Sequence, residues 1–127
     1  MPAEWEPHEA TWLTWPHNSE TWPGQNMKSV EKAFLQIINA LQSGEKVNIL
    51  VNNTASNQYV LDELKRNEIK NTETFIIPTD DSWIRDYGPN FILRENTPGK
   101  PEIALNKWNF NSWGISWTFF FLVSVLF

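Results

Sequence analysis

Thr79-Asp80-Asp81-Ser82-Trp83-Ile84-Arg85-Asp86-Tyr87-Gly88-Pro89-Asn90-Phe91 packs three carboxylates, an arginine and a tryptophan into one short segment. An apolar run closed by proline, Phe75-Ile76-Ile77-Pro78, precedes it, and a second apolar run, Phe91-Ile92-Leu93, follows. Polar and aromatic side chains at the exit of a strand sit where a rigid scaffold tends to carry function. The residue types suit a planar organic cation. A carboxylate accepts two parallel hydrogen bonds from a guanidinium, and charge strengthens both. An indole face attracts the same cation through its ring quadrupole. Trp83 and Asp86 can supply these two functions from one loop, with Arg85 pairing to Asp80 or Asp81 to hold the loop in shape. The same residues also describe a salt-bridged turn with Trp83 filling the core, because structural ion pairs crowd such loops too.

Working outward, residues 9–15 read as a strand with Trp12, Leu13 and Trp15 as its bulk and Pro16 as its end. His17 to Gly24 is a loop rich in turn formers. Residues 27–43 form the clearest helix, with Val30, Ala33, Phe34, Ile37, Ile38 and Leu41 on one stripe. Asn26 caps its start, and Gly44 supplies a left-handed residue past its end. The run at 47–51 is a short strand buried on both faces. A second helix occupies 55–66 with Val60 and Leu64 inward, and a strand at 74–77 delivers the chain to the central loop. The alternation of strand and helix predicts an α/β fold. Residues 91–94 and 103–108 read as a hairpin around the proline- and glycine-marked stretch 95–101.

The block Asp80-Asp81-Ser82-Trp83-Ile84-Arg85-Asp86-Tyr87-Gly88-Pro89 resembles the signature of the agmatine deiminases. These stand with the bacterial-type peptidylarginine deiminases among the guanidine-modifying enzymes. The opening Met1-Pro2-Ala3-Glu4-Trp5-Glu6-Pro7-His8-Glu9-Ala10-Thr11-Trp12-Leu13-Thr14-Trp15-Pro16 is similar to that family's start, and Trp108-Asn109-Phe110-Asn111-Ser112-Trp113-Gly114 matches further on. The resemblance implies a five-bladed α/β propeller, the pentein fold, of which this chain would hold roughly the first blades. It implies hydrolysis of agmatine to N-carbamoylputrescine and ammonia, within putrescine and polyamine metabolism. In that chemistry a thiolate attacks the guanidinium carbon, ammonia leaves, and water releases the product, with a histidine moving protons. Carried over residue by residue, Asp86 is a guanidinium-binding carboxylate and Trp83 an aromatic wall beside it. Asp80, Asp81 and Arg85 shape the loop, and Trp113 is assigned packing alone. An arginine-in-peptide substrate, or a non-catalytic module that binds a cationic ligand, are the alternatives.

The chain has 127 residues and a formal charge of −5, so it lacks the basic face that nucleic-acid binding requires. It contains no cysteine, which removes disulfides, thiolate metal sites and the nucleophile that the resemblance implies. Ser82 has no evident base beside it to take that place. His8 and His17 are the two histidines, and neither stands in a metal-ligand spacing; no metal or organic cofactor is expected. The first residues lack the basic and apolar regions of a signal peptide, so a cytoplasmic location is expected. Past Gly114 the match stops, and residues 115–127 run without a charge or turn residue. This tail is too short to cross a bilayer as a helix, which takes about 20 apolar residues. Residues 1–114 are therefore expected to be the N-terminal part of a deiminase-like domain, inactive alone, and 115–127 a departure from it through a frame change or unspliced stretch. A homo-oligomer is expected of the full-length form.

Overall fold

The computed structural model describes residues 5–97 and 100–106. A first compact unit takes Pro7–Ile84, and the described residues after Ile84 belong to a second.

In the first unit, strands β1 (Ala10–Thr14), β2 (Lys46–Val51) and β3 (Thr72–Ile76) form a parallel sheet in that order. Helix α1 (Met27–Leu41) links β1 to β2, and α2 (Thr54–Arg66) links β2 to β3. Parallel neighbours need such crossovers, since a tight turn cannot reverse the chain twice. The expected α/β fold is thus present. β2 lies in the middle, and Val47 through Val51 are all buried. Strand alternation sends Val47, Ile49 and Val51 to one face and Asn48 and Leu50 to the other. The first face meets Trp15 of the β1 end, Leu35 and Ile38 of α1, and Val60 and Leu64 of α2 in one core. On the opposite face Trp12 and Phe75 approach across β2, ring centroids 5.0 Å apart.

Asn26 caps α1, its Oδ1 accepting the Lys28 N–H at 2.9 Å. The buried stripe is rotated from the expected one: Leu35 faces inward, whereas Ala33 is exposed and Ile37 is 47% exposed. At about 100° per residue, Ile37 and Ala33 stand about 100° and 140° from Ile38, and Leu35 only about 60°. α1 does not end on a left-handed glycine. Gly44 keeps an ordinary φ, and its N–H donates to Leu41 O at 2.9 Å. Gln42 is the C-cap, its N–H donating to Ile38 O at 2.9 Å, and its Oε1 accepts the Lys70 and Asn71 N–H groups at 2.7 and 3.3 Å.

The left-handed residue lies at the end of α2, and it is Glu68, φ 56°. Ile69 N–H returns to Leu64 O at 2.9 Å and Glu68 N–H to Lys65 O at 3.2 Å, the double closure that glycine usually permits. Both Leu64 and Ile69 are buried, so core packing holds Glu68 in place. Glu68→Gly is expected to raise stability by about 0.5–1 kcal/mol, because a Cβ is costly in that conformation. Urea unfolding checks this, and a midpoint at or below the parent's would refute it.

In the second unit, β4 (Asn90–Thr97) and β5 (Lys100–Asn106) pair antiparallel, with Phe91 opposite Leu105 and Arg94 opposite Glu102. The stretch 95–101, expected as a loop, is mostly ladder: pairing runs to Thr97 opposite Lys100, with an irregularity between Glu95 and Thr97. A two-stranded ribbon has edge strands alone, where Pro101 is tolerated. A short helix, α3 (Ile84–Tyr87), interrupts what the sequence suggested as loop. The motif at 108–114, with Trp113, and the tail at 115–127 lie outside the described residues. No helix among the described residues is long and apolar enough to cross a membrane.

Candidate functional site

Parallel strands deliver their C-terminal ends to one edge of the sheet, which is where open α/β sheets bind ligands. Here the loops leaving β1, β2 and β3 meet at that edge. The first carries His17, Thr21 and Trp22, the second Asn52, and the third Thr79 to Trp83.

The third loop is tied to both others. Asp81 Oδ2 accepts the Thr21 hydroxyl at 2.7 Å, and its Oδ1 accepts the Ser82 N–H at 2.6 Å. Trp83 stacks on Trp22 with ring centroids 5.6 Å apart and planes 28° from parallel. Trp22 is braced in turn by Phe34 of α1, edge to face at 6.5 Å. A short 3-10 turn, Ser19–Thr21, presents Thr21 and Trp22, and Asn18 caps it by accepting the Glu20 N–H at 3.0 Å. Asn52 grips Thr79 with three hydrogen bonds.

Two buried polar atoms in this cluster have no hydrogen-bond partner, the Trp22 Nε1 and the Ser82 Oγ. Buried polar groups are ordinarily satisfied, so these two are exceptions within the cluster. Partial desolvation raises the Asp80 carboxyl above its ordinary value of 3.8, even though the residue as a whole is exposed; His17 opposes that shift, and the Asp81 carboxylate adds to it. His17 Nδ1 donates to Trp15 O at 3.1 Å, leaving Nε2 as the ring's second polar atom.

The Asp80 shift has a consequence for pH. Between pH 3.8 and the raised value the folded state binds more proton than the unfolded one, so this group's contribution to stability falls as pH rises through that window. Asp80→Asn is therefore expected to raise Tm at pH 7, with the gain disappearing below pH 3.8. Thermal melts of both proteins across pH decide it; an asparagine variant less stable at pH 7 would sink the assignment.

Of the residues picked out from sequence, Asp80, Asp81 and Trp83 lie in the first unit, in this cluster. Arg85 and Asp86 lie in the second. There the Asp86 carboxylate, 28% exposed, stands 3.9 Å from Arg85 Nη2. Tyr87 next to it is buried. Thr21, Trp22 and Asn52 were not singled out, although a parallel strand order would have brought their loops alongside 79–83. Among the described residues no three His, Asp or Glu side chains gather as metal ligands.

Comparison with known proteins puts this geometry in context. The family model of the Porphyromonas-type peptidyl-arginine deiminases matches residues 1–120. An agmatine deiminase of Ectopseudomonas mendocina is 35% identical over 90% of this chain and 28% of its own length. One from Medicago truncatula is 34% identical over 90% of this chain and 30% of its own. A solved structure assigned provisionally as an agmatine deiminase superposes with a TM-score of 0.74 at 30% identity, covering 90% of this chain and 30% of that one. The chain thus spans less than a third of the length of the relatives it matches.

Proposed function

Because this chain belongs to the Porphyromonas-type peptidyl-arginine deiminase family, we propose that it is the guanidinium-holding portion of an agmatine deiminase. The reaction is hydrolysis of agmatine to N-carbamoylputrescine and ammonia, in putrescine biosynthesis. The observation that carries this reading is the aromatic pair Trp22–Trp83 beside Asp80 and Asp81, on the sheet edge where the three strands end.

In this proposal Asp86 accepts hydrogen bonds from the guanidinium nitrogens, and Trp83 offers its ring to the cation. Asp80, Asp81 and Arg85 shape the loop. Their work is orientation: they hold the guanidinium carbon where a nucleophile can reach it. The chemical step forms a sulfur–carbon bond, expels ammonia and is completed by water. This chain has no cysteine, so the thiolate belongs to residues outside this sequence. The proposal extends to a pentein propeller in which the α/β unit is one of the blades, to a cytoplasmic enzyme, and to a homo-oligomer in the full-length form. It also keeps the apolar tail expected from residue 115 as a departure from the family pattern, although the family match itself runs to residue 120.

Peptidyl arginine is the second reading for the substrate, favoured by the description of the matching family. A binding module without catalysis is favoured by the missing cysteine.

Agmatine-dependent ammonia release by two purified proteins tests the reading. One is this chain, and the other is the product of the same locus carried past Gly114 in the family-like frame. Activity in the long form and none in this chain is expected. No release by either would end the deiminase reading, and release from an arginyl peptide in preference to agmatine would move it to the second substrate.

A further inference from the structure

Asn52 stands one residue past β2, where the ladder between β2 and β3 runs out. Ile77 N–H still donates to Val51 O at 2.9 Å, and beyond it the two backbones part. The Asn52 side chain takes over from there. Its Oδ1 accepts the Thr79 N–H at 2.9 Å and the Thr79 hydroxyl at 3.2 Å, and its Nδ2 donates to Thr79 O at 3.0 Å. One primary amide carries both a donor and an acceptor, so it can offer a neighbouring residue what a peptide group would. Thr79 is 5% exposed, and it leads directly into Asp80 and Asp81.

We propose that Asn52 is a positioning residue for the cation-binding loop: by continuing the sheet through its side chain, it sets where Thr79 lies and so holds Trp83 against Trp22. The bond from Thr21 to Asp81 joins the loop to the one after β1, while the Asn52 amide joins it to the central strand. What the loop binds rests on the deiminase reading; what holds the loop does not. A purely structural Asn52 would lower stability when lost and leave the indole pair unchanged. A positioning Asn52 would change the indole pair at temperatures where the chain is still folded.

Circular dichroism of the 127-residue chain separates these cases. Two stacked indoles couple and give a paired positive and negative band, isolated as the difference between the parent and Trp83→Phe. Asn52→Ala is expected to lose more than half of that band well below its Tm. Thr79→Val, which keeps both backbone bonds, should retain it. Gln42→Ala should also retain it, since it removes a comparable grip on Lys70 and Asn71 outside the cluster. Should the alanine variant fail to fold, Asn52→Asp takes its place, keeping the acceptors and losing the donor to Thr79 O. A full-strength band in the folded Asn52 variant overturns the inference. Calorimetric titration with agmatine gives the second readout, a weakening of about tenfold or more in step with the lost band. If the parent binds no agmatine, this chain does not hold the cation by itself, the deiminase reading is left to the longer product, and the band still decides the role of Asn52.

Discussion

Ile38→Ala is expected to destabilise the α/β unit by about 2–5 kcal/mol. Ile38 is fully buried, in a core with Trp15, Leu35, Val47, Ile49, Val51, Val60 and Leu64. Removing its branch takes apolar surface out of the core that the central strand and both helices share, and leaves a cavity that the surroundings fill only in part. Domains of this kind have about 5–15 kcal/mol in total, so a large share of the margin goes with one side chain. The neighbouring position supplies the control. Ile37 is 47% exposed, and Ile37→Ala should cost well under half as much. Urea unfolding of the two variants distinguishes the faces of α1, and equal losses would show the stripe to be placed wrongly.

The second large effect concerns binding. Asp86→Asn is expected to weaken agmatine by about ten- to a hundredfold, since hydrogen bonds to a charged group contribute about 1.5–3 kcal/mol. The substitution keeps the shape of the side chain and removes its charge, so a loss reports on electrostatics more than on packing. Trp83→Leu should weaken agmatine by less, because a cation over an indole contributes about 0.5–2 kcal/mol. Calorimetry with agmatine, and with putrescine as the partner lacking a guanidinium, makes the comparison. An asparagine variant that binds agmatine within twofold of the parent would remove Asp86 from the site.

How much of this could be read from residues alone depends on the kind of information each feature carries. The helix at Met27–Leu41 and the buried strand at Lys46–Val51 follow from periodicity and from an unbroken apolar run, both local properties. The inward place of Leu35 does not, because it turns on which of two neighbouring stripes the sheet selects. Glu68 in a left-handed conformation was invisible for a related reason: its cost is met by Leu64 and Ile69 packing around it, and no glycine marks the position. In the candidate site, the residues of 79–83 stood out by their chemistry, whereas their partners did not. Trp22, Thr21 and Asn52 come from loops that only strand order places beside them, and no pattern within 79–91 names them. The propeller was drawn from the family resemblance and remains part of the proposal.

The central position of β2 bears on how this unit comes apart. β1 and β3 each hydrogen-bond within the sheet to β2 and not to one another. Its core-facing side chains also carry the contacts of both helices' buried residues. Local opening can therefore release one outer strand while the remaining pair survives, but an opening that takes β2 takes the whole unit. Subglobal opening has its lowest free energy at the periphery and approaches the global value at such a strand. The loops at the sheet edge consequently hang from elements of unequal permanence: the one after β2 is rooted in the last strand to open, and the ones after β1 and β3 in strands that can leave first. A loop fastened by a side chain to the middle strand keeps a memory of its place when its own strand frays.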